Sequence, residues 1–120
     1  MENIPIELVN NIKDFVIFKP RTKKELKEAV DLWCKNKDEA LIRYNHISNW
    51  NTSLIEHMSG LFRWKSKFNE DISNWDVSNV IDMSYMFVEC NDFNQNLNNW
   101  DVSSVTNMSA MFCLTNSFNQ

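Results

Sequence analysis

Glycine is all but missing from this chain: Gly60 is the single one among 120 residues. Loops that cradle phosphates need glycine where the backbone approaches the ligand, and calcium loops need it for their sharp turn, so both are disfavoured. Long apolar runs are missing too. Nothing approaches the roughly 18 residues of a membrane span, so no span is expected. Met1-Glu2-Asn3-Ile4-Pro5 places an acid early, with no basic stretch ahead of an apolar one, and does not read as a secretory leader. Basic charge is scarce over residues 47–120, with three Lys/Arg against eight Asp/Glu (−5), whereas residues 1–46 hold nine against eight (+1). A phosphate backbone needs clustered Lys and Arg, so nucleic acid is not an expected partner. The cysteines, Cys34, Cys90 and Cys113, are odd in number and unrelated in spacing. They read as free thiols in a reducing compartment, and an intracellular protein is the simplest expectation.

What is plentiful is apolar and aromatic side chain, and it recurs. Shifting the chain by 25 residues aligns three units, 47–71, 72–96 and 97–120, with no insertion or deletion. Eight positions are identical in all three: Asn49/Asn74/Asn99, Trp50/Trp75/Trp100, Ser53/Ser78/Ser103, Met58/Met83/Met108, Ser59/Ser84/Ser109, Phe62/Phe87/Phe112, Phe68/Phe93/Phe118 and Asn69/Asn94/Asn119. The expected reading is a stack of coils in which the Trp, Met and Phe sets form inner columns and the two Asn sets form amide ladders. The spacing Leu97-x-x-Trp100-x-Val102-x-x-Val105 predicts a short strand per coil, stacked about 4.8 Å from the next. Asp82 and Asn107 (His57 in the first copy) precede Met-Ser-x-Met-Phe and read as N-caps. One or two helical turns are therefore expected at 83–89 and 108–114, and at 58–63.

Residues 1–46 read as a cap over the first coil. A short helix is expected around Asn3–Val9, with Pro5 near its start. Phe15-Val16-Ile17-Phe18 suits a buried strand stopped by Pro20. Thr22-Lys23-Lys24-Glu25 is a capping box, followed by Leu26, Ala29, Val30 and Trp33 at helical spacing. A second helix is expected from Asp38 through Leu41 to Tyr44.

Phe68-Asn69-Glu70-Asp71-Ile72-Ser73-Asn74-Trp75-Asp76-Val77-Ser78-Asn79-Val80, continuing to Asp82-Met83-Ser84-Tyr85-Met86-Phe87, resembles the repeats of the BspA-family leucine-rich repeat surface proteins, also described in mycoplasma lipoproteins. Phe18-Lys19-Pro20 through Glu25-Leu26 to Ala29-Val30 is similar to the leader that often precedes such arrays. The resemblance covers residues 47–120 and implies a module for surface attachment and partner binding. With the repeat it sets the fold expectation: α/β, a short right-handed leucine-rich-repeat-like solenoid of three coils with an N-terminal α/β cap.

Chemistry offers little. Asp76 and Asp101, with Asn51 and the Ser53/Ser78/Ser103 row, could bridge a cation, but a solvated face explains them as well, and no metal is expected. Cys34 with His46 or His57 lacks any surrounding motif, and a packed thiol is the expected role of Cys34. Neither a catalytic group nor a cofactor is expected. Variation between coils is the better guide to binding. Arg63, Trp64, Lys65 and Lys67 in the first coil, Glu89 and Asp92 in the second and Leu114 in the third form the candidate interface. Trp64 either folds back onto the cap, the reading the residues favour, or stands exposed as an anchor for a partner protein. The uncovered last coil suggests either that the array continues in a longer parent or that this end meets a partner, as a homodimer through the C-terminal end of the array or as a structural protein that assembles there.

Overall fold

The computed structural model describes residues 17–120. The helix expected near Asn3–Val9, and Phe15 and Val16 of the expected strand, lie outside the described residues. Helix α1, Lys23–Lys35, starts where Thr22 Oγ1 accepts the Glu25 N–H at 3.1 Å. The reciprocal half of the box is shifted by one residue: the Glu25 carboxylate reaches the Arg21 N–H at 3.4 Å. The stripe Leu26, Ala29, Val30 and Trp33 is buried. Replacing Thr22 by Ala is expected to cost about 1 kcal/mol in thermal or urea unfolding, the usual loss for a missing N-cap. Asn36 closes α1 with its N–H on the Leu32 carbonyl and opens α2, Lys37–Tyr44, by accepting the Glu39 N–H at 3.2 Å. A single residue thus links the two helices. Ile17 and Phe18 form no strand: Ile17 is exposed, and the Phe18 ring packs on Tyr44 and Trp50 at 4.4 and 5.3 Å.

The three coils do stack, but they are not the α/β solenoid that the spacing suggested. Beyond a 3-10 turn at Ile47–Asn49, the coils hold neither helix nor strand among the described residues, and their β pairing is reduced to the isolated parallel bridges His57–Asp82 and Asp82–Asn107. The leucine-rich-repeat architecture is therefore overturned, as are the helical turns at 58–63, 83–89 and 108–114. The reason lies in the backbone. Gly60, Tyr85 and Ala110, and again Trp64, Glu89 and Leu114, all sit in the left-handed region, with φ from 53° to 66°. Two left-handed residues four apart in each coil stop a helix there, and Asx turns ahead of them, at Asp76 and Asp101, break the run expected to be a strand, leaving a chain of tight turns. Asp82 and Asn107 cap no helix; each accepts the N–H two residues on, from Ser84 and Ser109. Asp76 and Asp101 do the same for Ser78 and Ser103. These are Asx turns.

The turns satisfy the backbone by dividing its groups between coils. Over 82–88, the carbonyls of Asp82, Ser84, Met86 and Val88 accept from Met58, Gly60, Phe62 and Trp64 of the preceding coil. The intervening carbonyls of Met83, Tyr85 and Phe87 close turns within their own coil. The N–H groups of Met83, Tyr85, Phe87 and Glu89 donate onward to Asn107, Ser109, Met111 and Cys113. Left-handed backbone costs a residue with a Cβ about 1–2 kcal/mol, and these coil-to-coil bonds offset it at Tyr85 and Glu89. At Gly60 (φ 63°) an added Cβ would meet nothing within 4 Å, so Gly60→Ala is expected to lose about 1 kcal/mol through the backbone alone. Urea unfolding of the two proteins measures it.

Inside the coils the two Phe columns form through all three units, and the Trp column is shown for its first two members. Phe62, Phe87 and Phe112 stack at 5.4 Å steps, and Phe68, Phe93 and Phe118 at 5.8 and 5.9 Å. Trp50 and Trp75 stack at 6.2 Å, while the Trp100 ring lies 6.4 Å from Phe87. Each inner indole also ties its coil to the one before: Trp75 Nε1 donates to the Ile47 carbonyl and Trp100 Nε1 to that of Ile72. Asn69, Asn94 and Asn119 form the expected ladder, each side-chain oxygen taking the N–H of the next asparagine at 2.8 and 3.0 Å. Asn49, Asn74 and Asn99 do not. All three are exposed, and among the described residues no hydrogen bond links one to the next.

The two ends of the stack differ. At the first coil, α1 lies over the carbonyl side: Lys23 Nζ bonds Ser59 Oγ at 2.8 Å and Lys27 Nζ reaches the Leu61 carbonyl at 3.4 Å. At the last coil, the N–H groups of Met108, Ala110, Phe112 and Leu114 find no backbone acceptor among the described residues. Met58 and Met83 are fully buried, and Met108 is 44% exposed.

Candidate binding groove

Cap and first coil meet along a broad open groove of about 670 Å³. One wall is the end of α1 and the start of α2, with Asp31, Trp33, Cys34, Lys35 and Lys37; the other is the turn Trp64–Glu70. Two ion pairs hold the walls in register. Asp31 pairs with Lys27 on its own helix at 2.7 Å and with Lys65 across the groove at 3.0 Å. Lys37 pairs with Glu70 at 2.9 Å, its ammonium 5.2 Å from the centre of the Trp33 ring. Trp33 is buried, edge-on to His46 and Trp50.

Charge along the groove is unequal. Lys35, Lys37, Lys65 and Lys67 face two acids, Asp31 and Glu70. Lys37 and Lys65 are paired with those acids, and no ion pair involves Lys35 or Lys67 among the described residues. Trp64 is 64% exposed and lines the groove. The Arg63 guanidinium lies 4.3 Å from its ring centre and 5.5 Å from that of Tyr85. The Trp64 backbone is held as well: its N–H donates to the Val88 carbonyl at 2.8 Å in a left-handed turn. The indole is therefore presented on a fixed support rather than folded onto the cap.

Of the residues singled out by coil-to-coil variation, Trp64, Lys65 and Lys67 line the groove, and Arg63 stands beside it. Glu89 and Leu114 share Trp64's left-handed turn position one and two coils along, and with Asp92 they lie outside the groove. Sequence reasoning missed the cap wall, Asp31 to Lys37. The available signal was Lys35 and Lys37 flanking the helix-breaking Asn36, beside Trp33.

The titratable groups fit this picture. Burial alone would raise the Asp31 carboxyl, but hydrogen bonds and charge from Lys27 and Lys65 hold it below its ordinary value. Asp71, Asp76, Asp82 and Asp101 are lowered by their bonds from Ser73, Ser78, Ser84 and Ser103. Carboxylates with a depressed folded pKa contribute stability above their unfolded value near 3.8, and lose it as pH falls through the folded value. Urea midpoints are expected to be flat above about pH 5 and to fall below about pH 4.

The three thiols are free. Cys90 is fully buried, its Sγ donating to the Phe62 carbonyl at 2.7 Å, and burial pushes its pKa up to about 12. Thr115, at the same coil position, makes the same bond to the Phe87 carbonyl. Cys34 is exposed rather than packed into the core, although desolvation at the groove raises its pKa too. Cys113 is exposed. Alkylation at pH 8 read by mass spectrometry should mark Cys34 and Cys113 in the native protein and reach Cys90 only on unfolding. No group of three or more His, Cys, Asp or Glu side chains converges among the described residues. His46 Nδ1 contacts Ser48, and its Nε2 lies 4.0 Å from Glu70.

A family model described as "Mycoplasma protein of unknown function, DUF285" matches residues 28–120, and the chain belongs to that family. The match begins inside α1, so it includes both walls of the groove. No curated protein and no solved structure matches the chain.

Proposed function

We propose that this protein is a non-catalytic protein-interaction module that takes its partner in the groove between the cap helices and the first coil. One observation carries the reading: a tryptophan left mostly exposed in a protein that buries its other four. Exposed tryptophans on a fixed support are the residues around which protein interfaces concentrate binding energy, because little side-chain freedom remains to be lost. Selection of randomised displayed peptides on the folded protein tests it. Peptides are expected to enrich on the native protein and to be lost on Trp64→Ala; enrichment that ignores Trp64, or none at all, removes this reading.

A second reading, association of copies through the last coil, has its own support in the exposed Val102, Met108 and Leu114. A two-fold contact there would bring the N–H groups of Met108, Ala110, Phe112 and Leu114 against the same donors of the other copy. Association would then rest on apolar contact and be weak. Sedimentation should show dimer only at high concentration, and Met108→Lys should abolish it; a monomer throughout discards the idea.

A further inference from the structure

We propose that the groove selects acidic peptide segments, with carboxylates on Lys35 and Lys67 and an apolar or aromatic side chain against Trp64. This rests on the reading of the groove as a partner site. The four lysines are not equivalent: Lys65 pairs with Asp31, which it shares with Lys27, and Lys37 pairs with Glu70, while Lys35 and Lys67 pair with no acid among the described residues. They stand on opposite walls, Lys35 at the end of α1 and Lys67 on the first coil, with Trp64 on the same coil wall. A segment lying in the groove can therefore offer an acid to each wall and an apolar side chain to the indole.

The rest of the chain narrows the choice. Residues 47–120 carry −5 overall, so a long polyanion that runs beyond the groove meets repulsion, whereas a short acidic segment meets only the local excess of cations. Lysine ammoniums act as single point charges, suited to individual carboxylates; the forked guanidinium that grips phosphate in pairs is represented near the groove by Arg63, which is stacked on Trp64. The groove is also broad and open, the shape for an extended peptide rather than for a small molecule that must be enclosed.

The test is the same displayed random library, selected in parallel on the native protein, on Trp64→Ala and on Lys35→Glu/Lys67→Glu. Both lysines are exposed and make no ion pair, so the double variant is expected to fold, which circular dichroism checks. Peptides enriched on the native protein should be rich in Asp and Glu around an apolar residue. Their affinity should drop about tenfold on the double lysine variant, and should weaken as salt is raised. Enriched peptides that need Trp64 but are neutral or basic, or that bind the lysine variant unchanged, overturn the acidic assignment and leave the groove reading standing. Enrichment independent of Trp64 ends both.

Discussion

Phe87→Ala is expected to lower the unfolding free energy by about 3–5 kcal/mol, a large part of the total that holds a chain of this size together. Phe87 is the hub of the stack. Its ring is fully buried, 4.3 Å from Phe93, and sandwiched at 5.4 Å between Phe62 and Phe112. Removing it opens a cavity that neighbouring coils cannot collapse to fill, because their spacing is set by the bonds from Phe62 N–H to Met86 and from Phe87 N–H to Met111. The same substitution at Phe112 should cost distinctly less, since that ring is half-buried and only one coil stacks on it. Urea denaturation followed by near-ultraviolet circular dichroism compares the two. Equal losses would mean that stability does not build up along the columns.

Trp64→Ala should do the opposite. Stability is expected to change by no more than about 0.5 kcal/mol, as for a surface position, because the exposed indole contributes little to the core. Binding of groove peptides should fall by about 2 kcal/mol, roughly thirtyfold, the loss typical of an interface anchor. The contrast with Trp75, which stacks on Trp50 and donates to the Ile47 carbonyl, is the informative one. On the proposed reading the two tryptophans do different work, Trp75 in folding and Trp64 in recognition. A Trp64→Ala protein that melts like a core variant would place the indole in the fold instead.

Much of this was legible in the residues. The 25-residue period predicted the Phe columns, the Trp50–Trp75 stack and the Asn69/Asn94/Asn119 ladder, because identical side chains at a fixed period can be buried together only by stacking. Thr22, Asn36 and the α1 stripe are local signals, and they set the cap helices. Only the coil wall of the groove could be read, through Trp64, Lys65 and Lys67. Its other wall depends on Asp31 meeting Lys65 and on Lys37 meeting Glu70, both pairs more than thirty residues apart in the chain.

The amino-acid order by itself determined the repeat, the inward columns and the cap helices, since burial pattern and capping are properties of near neighbours. The tertiary structure alone decided that the coils are built from turns rather than strands and helices. Tyr85 and Glu89 carry no local mark of left-handed backbone, which in isolation is unfavourable for both of them. Hydrogen bonds between neighbouring coils make that conformation the stable one, and those bonds exist only once the stack has formed.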